Sequence, residues 1–336
     1  MKYKDTSTTM GIPNLNRYLK QHCKSSIKML QLSELKEKVI VIDISIYLYR
    51  YVAENALVEN VYLMLSIFRH YNITPIFIFD GVPPDEKLEL LKKRKADKVN
   101  SETEYNELKK KLSNTNTLSF DEKQEITTSM DALKKKFVYL TKNHIQMTKQ
   151  LINSYGATYI DAPGEADGLC ASFVLSGKAW ACMSDDMDMF VYGCHRILRY
   201  TSLLNHTAVL YDVHGILSTL NMTHDEFKDV CVLSGTDYNT NGKTSLYSSM
   251  TLFNKYKSSI DYEMLSGFYG WLMCTTEYLD SNDIGLLLHT RSMFDVNTHI
   301  NDIDINCVFD NMKRRDIITI LKNDGFIFPD ILISAR

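Results

Sequence analysis

Seven carboxylates have positions that are typical of a metal-dependent active site. Several follow apolar, strand-like runs: VIVID ends at Asp43, PIFIFD ends at Asp80, and the DDMD loop comes just after another such run. The carboxyl ends of parallel strands meet at the edge of an α/β sheet where ligands bind. Carboxylates gathered there repel one another, and hard divalent cations with oxygen ligands offset that repulsion. The sequence therefore predicts a Mg²⁺-dependent enzyme that transfers phosphate or cleaves phosphodiesters. The acids are Asp43, Asp80, Glu165, Asp167, Asp186, Asp188 and Asp237.

The elements that must position these acids alternate between strand and helix. β-branched runs bounded by turn signals predict strands, and apolar periodicity predicts helices. Predicted strands cover 39–43, 75–80, 157–161, 179–183 and 196–200; predicted helices cover 14–22, 47–71, 225–233 and most of the region beyond 244. A helix also follows APGEAD, with its acids in the first turn. This order predicts an α/β fold with a mostly parallel central sheet.

The segment from 87 to 149 differs sharply in charge from the rest of the chain. It has fifteen basic and nine acidic residues, whereas the whole protein has a net charge of −3. The polar run 113–119 (SNTNTLS) predicts a tip between two helices. One interpretation is a solvated helix pair with i,i+4 ion pairs. The other, which its place after a carboxylate-bearing strand favours, is a clamp for a phosphate backbone.

Bulk composition excludes several classes of protein. The 336 residues are 45% apolar and 24% charged, as in globular proteins, and contain no apolar run long enough to cross a membrane. The polar N-terminus lacks the apolar core of a secretion signal. Seven scattered cysteines without CxxC spacing favour a reducing compartment and argue against a zinc site. We therefore expect an intracellular protein that is not secreted.

Six motifs occur in one order along the first 240 residues. They are MGIPNL (10–15), VIVIDISIYLYRY (39–51), PIFIFDGVPPDEKLELLKKRK (75–95), YIDAPGEADGLCA (159–171), MSDDMDMFVYG (183–193) and VCVLSGTDY (230–238). Together they resemble the flap endonuclease/XPG family of structure-specific 5′ nucleases. The resemblance implies a PIN-like or resolvase-like fold, with a mostly parallel central sheet flanked by helices. It also implies a nuclease core over 10–238, with a basic helical arch inserted at about 85–150, and a helical C-terminal region over 239–336.

The same resemblance assigns roles to individual residues. It implies that the seven acids bind two Mg²⁺ ions, with Mn²⁺ as a substitute, and that Lys87 and Arg94 act on the scissile phosphate. It further implies DNA contacts at Gly11, Tyr49, Lys92, Lys93, Lys134, Lys135, Lys136, Lys142, Gly242 and Lys243. The expected partner is DNA with a 5′ flap, nick or junction, in the nucleus or at a viral replication site.

Three features depart from the family pattern. Nine residues precede Met10, where family members begin. The glycine-rich helix-hairpin-helix that follows the last acid, and that holds K⁺ and duplex DNA in the family, is replaced by 239–258, where Gly242 is the single glycine. No sliding-clamp-binding peptide is recognisable before Arg336. These departures suggest a divergent member, of which a virus-encoded enzyme is one interpretation.

Alternative interpretations remain for single residues and for the whole chain. Glu165 and Asp167 could complement a helix dipole, Asp80 could belong to a turn, Tyr49 could be a core aromatic, and Lys87 a solvated lysine. The whole chain could be a 5′-exoribonuclease, since MGIPNLNRYL also resembles the start of those enzymes, or a DNA-binding descendant without catalysis. A phosphatase or kinase-like enzyme is disfavoured because the chain lacks a phosphate-cradling glycine loop.

Overall fold

The computed structural model describes residues 11–114, 120–240, 242, 244–259, 267–296, 309 and 311–328, so Met10 and the extension 1–9 lie outside the described residues. The strands found there are β1 (Ile27–Gln31), β2 (Val39–Asp43), β3 (Thr74–Phe79), β4 (Thr158–Asp161), β5 (Ala181–Met183), β6 (Arg196–Ser202) and β7 (Thr207–Asp212). The helices before β5 are α1 (Leu15–His22), α2 (Ile44–Ala53), α3 (Leu57–His70), α4 (Leu88–Asn114), α5 (Phe120–Lys134), α6 (Lys142–Ser154) and α7 (Ala166–Leu175). Those after β5 are α8 (Asp188–Val191), α9 (Val213–Leu220), α10 (His224–Ser234), α11 (Leu246–Lys257), α12 (Gly267–Thr275), α13 (Ser281–Ser292) and α14 (Arg314–Asn323). Short 3₁₀ turns cover Lys24–Ser26, Leu32–Leu35 and Asp85–Lys87.

The strands form one mixed sheet in the order β1-β7-β6-β5-β2-β3-β4. β4, β3, β2, β5 and β6 are parallel neighbours, while β7 and β1 continue the sheet antiparallel. The chain moves outward from β2 through β3 to β4, and then returns to the other side of β2 with β5. In open α/β sheets such a change of direction creates a crevice at the carboxyl ends of the strands. The acids that end β2 and follow β5 meet at this point.

Helices cover both faces of the sheet because successive strand residues point to opposite sides. On β2, Val41 belongs to a core cluster that includes residues of α1, α7 and α10–α13, whereas Ile40 and Ile42 belong to a second cluster with residues of α2, α3, α6 and α14. Both faces of the central strands are therefore buried, which explains their nearly continuous apolar sequences. The predicted mostly parallel, helix-flanked sheet is confirmed.

The prediction of one helix over 47–71 was wrong. The segment contains two helices, α2 and α3, separated at residues 54–56. Asn55 adopts a left-handed conformation with φ of 53°, which asparagine tolerates better than most residues. This turn ends α2, and it lets α3 pack along the sheet while α2 stays beside the strand ends.

The basic insertion consists of two paired helices and a return segment. α4 extends for 27 residues and α5 for 15, and the two pack against each other. Tyr105 on α4 contacts Phe137, which follows α5, with ring centroids 5.4 Å apart. The two predicted helices are present; most of the predicted tip, residues 115–119, lies outside the described residues.

The C-terminal half contains further helices on both faces of the sheet. α10 and α11 pack together and are joined by residues 235–245, of which 241 and 243 are not described. α14 returns to the opposite face and packs against α6. Within the described parts of the chain, no helix combines the length and apolar character needed to cross a membrane.

Candidate active site

The first group of acids lies where three adjacent parallel strands end. Asp43 is the last residue of β2, Asp80 directly follows β3, and Asp186 and Asp188 follow β5. β2 pairs with both β3 and β5, so the register places these carboxylates side by side. Asp43, Asp186 and Asp188 are buried, whereas Asp80 is exposed.

A second group of acids faces the strand ends from the neighbouring helices. Glu165 and Asp167 occupy the N-terminus of α7, and Asp237 follows α10. Asp80 accepts a hydrogen bond from the backbone N–H of Ala166 at 2.9 Å, which ties the end of β3 to the start of α7. All seven predicted acids are therefore brought to one side of the sheet, in one cluster.

Glu165 is not a capping residue, although it occupies the N-cap position of α7. Its carboxylate makes no capping hydrogen bond to the helix. One oxygen instead accepts a hydrogen bond from Lys87, and the other accepts one from the Tyr238 hydroxyl at 2.6 Å. The local helix-dipole interpretation therefore does not describe what this side chain contacts.

Lys87 and Arg94 reach the acid cluster from the base of the arch. Lys87 is only 7% exposed, and its ammonium lies 3.6 Å from an Asp237 carboxylate oxygen as well as against Glu165. Arg94 donates to the same Asp237 oxygen at 2.9 Å. Burial disfavours charged Lys87, but the charges of Glu165 and Asp167 outweigh burial and raise the pKa of Lys87. The solvated-lysine interpretation of Lys87 is therefore wrong.

The buried carboxylates disfavour one another's ionisation. Burial, then repulsion by Asp186 and Asp43, raises the pKa of Asp167 well above its usual range. Burial, then repulsion by Asp186 and Asp237, does the same to the pKa of Asp188. Burial is likewise the largest cause of the raised pKa of Asp43, followed by repulsion from Asp80. The site therefore has more negative charge than its own lysine and arginine neutralise.

The donor chemistry of this cluster fits hard divalent cations. Its ligand atoms are carboxylate oxygens, and one buried oxygen of Asp167 and one of Asp188 accept no hydrogen bond. Buried polar atoms without partners are uncommon in folded proteins. Across the described segments, no group of three or more Asp, Glu, His or Cys side chains is already arranged to hold a metal ion. The raised pKa values and the two oxygens without partners nevertheless indicate where added positive charge would be most stabilising.

Gly11 approaches the acid cluster more closely than any side chain could. A Cβ atom built on Gly11 would lie 2.5 Å from Asp188 Oδ1 and 2.6 Å from Asp186 Oδ1. The residue also has φ of 75°, in the left-handed region that favours glycine. The sequence-predicted Gly11 is therefore part of the wall of the site.

The other predicted contact residues lie farther out. Tyr49 is 43% exposed, whereas its neighbours Tyr47 and Tyr51 are buried, so the core interpretation holds for those two and not for Tyr49. The predicted arch contacts are all exposed and lie outside the acid cluster: Lys92, Lys93, Lys134, Lys135, Lys136 and Lys142. Gly242 packs against the C-terminus of α10, where a Cβ would lie 2.2 Å from the Ser234 carbonyl oxygen. Lys243 lies outside the described residues.

The chain matches two domains of one family, and the first of them extends into the arch helix α4. Residues 10–101 match the XPG N-terminal domain, and residues 156–237 match the XPG I-region. The chain belongs to the flap endonuclease/XPG family. The N-terminal domain contains Asp43, Asp80 and both basic residues, and the I-region contains the other five acids and ends at Asp237. The family-wide match is therefore concentrated on the acid cluster and the base of the arch.

Individual relatives extend the comparison beyond these domains. Flap endonuclease 1 of Methanococcus aeolicus is 29% identical over 231 residues, which cover 64% of this chain and 67% of the relative. Flap endonuclease 1 of Aedes aegypti is 30% identical over 247 residues, covering 68% and 62%. The chain thus spans about two thirds of the curated relatives it matches. The catalytic core of Rad2, solved in complex with DNA substrate, shares the fold, with a TM-score of 0.64 at 20% identity over 97% of this chain and 99% of that chain.

Sequence reasoning missed three hydroxyl groups that organise the site of this flap endonuclease/XPG member. Ser184 donates to Asp43 at 3.0 Å and accepts from the backbone N–H of Asp186 at 3.1 Å, so it links two acids. Tyr238 donates to Glu165, and the Tyr192 hydroxyl lies 2.6 Å from the Tyr238 hydroxyl. Each lies within a recognised motif that also contains an acid, but a hydroxyl gives no signal of which carboxylate it will bind.

Proposed function

We propose that this chain is a Mg²⁺-dependent, structure-specific 5′ nuclease that hydrolyses phosphodiester bonds in DNA flaps, nicks or junctions. Its place would be DNA replication, repair or recombination, in the nucleus or at a viral replication site. One observation supports this function above the others: two cations at the base of a basic arch contact a cluster of seven acids. A phosphodiester is the substrate whose charge matches both halves of that arrangement.

The seven acids would hold two Mg²⁺ ions, for which Mn²⁺ could substitute. Such ions, when bound, polarise the phosphate and generate a nucleophile from water at neutral pH. The chain's own part is to fix the carboxylates in place. Ser184 and the backbone N–H groups of Ala166 and Asp188 hold Asp43, Asp80 and Asp186, respectively. The buried oxygens of Asp167 and Asp188 that accept no hydrogen bond would then be available as metal ligands.

Lys87 and Arg94 would contact the scissile phosphate. Both already face the acids, and Arg94 is half-buried while Lys87 is almost fully buried. A planar guanidinium can bind a phosphate through two hydrogen bonds, and an ammonium acts as a point charge. Charge placed beforehand where negative charge develops lowers the barrier by several kcal/mol. We therefore assign both residues to transition-state stabilisation.

The remaining predicted residues would position DNA. The exposed arch lysines would bind phosphates of the single strand, Tyr49 would stack on a base beside the cut, and Gly11 would let the backbone approach the reacting phosphate. The α10–α11 pair, with Gly242 and Lys243 in its loop, would face duplex DNA. Since that loop lacks the family's glycine-rich sequence, we expect duplex binding to depend more on the arch than it does in relatives.

The experiment is cleavage of a 5′-labelled DNA flap with Mg²⁺ or EDTA, with single-stranded RNA in parallel. Asp186→Asn removes a buried carboxylate of the cluster. Asp161→Asn is the matched control, because Asp161 also ends a parallel strand but is exposed and paired with Lys149. We expect Mg²⁺-dependent cutting near the flap base, which Asp161→Asn retains and Asp186→Asn loses.

DNA binding separates the outcomes. Asp186→Asn should bind the flap as tightly as the wild type or more tightly, because it loses a charge that repels phosphate. Undiminished turnover in Asp186→Asn would refute the metal assignment. Tight flap binding that is equal in Mg²⁺ and EDTA, without cleavage of either polymer, would identify a DNA-binding descendant. Preferential cutting of RNA would identify the exoribonuclease alternative.

A further inference from the structure

Two tyrosine rings and one lysine form a cluster at the base of the arch. The Lys98 ammonium, on α4, lies 4.6 Å from the ring centroid of Tyr49, on α2, and 5.7 Å from that of Tyr139, which follows α5. We call Tyr49, Lys98 and Tyr139 the tyrosine–lysine cluster. It joins three segments that are far apart in sequence: the core helix after β2 and both limbs of the arch.

Hydrogen bonds fix the cluster without burying its rings. Lys98 donates to the carbonyl oxygen of Val138 at 2.9 Å, and the Tyr139 hydroxyl donates to Glu102 at 2.9 Å. Both bonds hold the segment around Tyr139 against α4. The Tyr139 side chain nevertheless remains 46% exposed, similar to Tyr49. Two exposed aromatic rings are therefore held beside a cation by fixed polar contacts, on a surface that a ligand can reach.

The cluster continues directly from the acid cluster. Arg94, which bonds Asp237, precedes Lys98 by four residues on α4 and therefore lies on the same face of the helix. Tyr49 lies near both Asp80 and Arg94: burial raises the pKa of Tyr49, the charge of Asp80 raises it further, and the charge of Arg94 opposes this. A strand leaving the acids along α4 would meet Arg94 first, and then Lys98 between the two rings.

Exposed aromatic rings beside a cation are the chemistry that binds single-stranded nucleic acid without sequence preference. Every base has a face that can stack on an aromatic ring, and a nearby ammonium binds the phosphate between bases. Lys98 uses one hydrogen bond on Val138, so its remaining N–H groups can reach a phosphate. Duplex DNA would be a poorer ligand for these rings, because its bases are already paired and stacked on one another.

We propose that the tyrosine–lysine cluster binds unpaired nucleobases of the single strand, with Tyr139 as a second stacking ring beside Tyr49. This inference rests on the proposed nuclease function for its substrate, but it concerns binding and not the chemical step. Lys98 is assigned to the phosphate between the stacked bases. Neither Tyr139 nor Lys98 contacts the acid cluster, so both are binding residues.

The test measures binding in EDTA, where cleavage plays no part. The probe is a DNA flap with 2-aminopurine at each of the first two unpaired positions, and stacking on a tyrosine changes its fluorescence. Tyr139→Ala should remove the change at one position and weaken binding about fivefold or more. Tyr139→Phe, which keeps the ring and loses the bond to Glu102, should retain both. Tyr278→Ala is the matched control, since Tyr278 is 51% exposed but distant in sequence from the arch.

An abasic flap distinguishes base stacking from every other role. If Tyr139 stacks on a base, removing the bases at the two probe positions should make Tyr139→Ala and the wild type bind equally. If Tyr139→Ala weakens binding to normal and abasic flaps by the same factor, the stacking proposal is overturned. A tyrosine that only supports the arch would give that second result, and Tyr139→Phe would then share the defect. Since all readouts are equilibrium binding, they stand whether or not the wild type cleaves DNA.

Discussion

Replacing Gly11 with alanine tests whether the wall of the acid cluster is as tight as the structure shows. The added Cβ would lie 2.5 Å and 2.6 Å from oxygens of Asp188 and Asp186, whereas ordinary van der Waals contact begins near 3.4 Å. These carboxylates must therefore move by about 1 Å, or the segment of Gly11 must move away. A displacement of about 1 Å at catalytic groups can lower turnover about 100-fold.

Gly177→Ala is the control that isolates backbone strain. Gly177 has the same φ of 75°, but a Cβ there would meet nothing within 4 Å. In both variants, holding alanine in the left-handed region destabilises the folded protein by about 1–2 kcal/mol. We therefore expect similar losses in unfolding free energy from strain, and a loss of turnover in Gly11→Ala alone.

The assay is single-turnover cleavage of a flap at saturating Mg²⁺, together with thermal unfolding of both variants. Circular dichroism at the assay temperature establishes that each variant is folded. Turnover of Gly11→Ala equal to that of Gly177→Ala would refute the reasoning, because the oxygens of Asp186 and Asp188 would then tolerate the displacement. A turnover loss shared by both glycine variants would also refute it, by attributing the defect to strain.

Three further predictions concern charge and hydrogen bonding. Because the pKa of Asp188 is raised, ionising it destabilises the folded protein as the pH rises above the ordinary value of 3.8. In EDTA, the melting temperature of Asp188→Asn relative to the wild type should therefore increase as the pH rises above 3.8, and Mg²⁺ should reduce that difference. Arg94→Ala should lower kcat by about 100-fold or more with little change in flap affinity, while Lys92→Ala, an exposed residue on the same helix, should chiefly weaken binding. Tyr238→Phe removes the bond to Glu165 and should raise the Mg²⁺ concentration needed for half-maximal thermal stabilisation, without altering flap binding in EDTA.

The strands of the central sheet were predictable because their sequences reflect burial on both faces. β2 has the bounds that the sequence predicts, and the other four parallel strands differ by one or two residues at one or both ends. The antiparallel pair β1 and β7 was missed. β1 is largely exposed and lacks the apolar run that marked the parallel strands, whereas β7 contains such a run, at Ala208–Tyr211, that the sequence analysis did not assign to a strand. β1 lies at the edge of the sheet, where pairing with β7 specifies it, and a local sequence pattern does not contain that pairing.

The order of the motifs predicted which acids share the site, but local sequence did not show which carboxylates pair with which cation. Only the family resemblance set Lys87 apart, because in local sequence it is one of fifteen basic residues between 87 and 149 and does not differ from Lys92 or Lys93. The structure separates it because the 3₁₀ turn Asp85–Lys87 directs its side chain inward, onto Glu165 and Asp237. Burial of that lysine requires acids from α7 and from the end of α10, which lie 78 and more residues away. Long-range charge pairing, unlike strand or helix propensity, depends on the whole topology.

The contacts at the arch base would couple DNA binding to the acid cluster, if the proposed function holds. Arg94 and Lys87 share an oxygen of Asp237, so a phosphate that binds either cation must compete with that carboxylate. Once a phosphate takes the cations, Asp237 and Glu165 lose their neutralising partners while buried near other acids. Leaving buried charges unpaired is strongly unfavourable, and added divalent cations reverse that cost. Flap DNA and Mg²⁺ should therefore bind with positive cooperativity. Reciprocal calorimetric titrations of Asp186→Asn and of the Asp161→Asn control can measure it with a flap analogue that the control does not cleave. Equal DNA affinity with and without Mg²⁺ in the control would show that the cations at the arch base do not exchange partners.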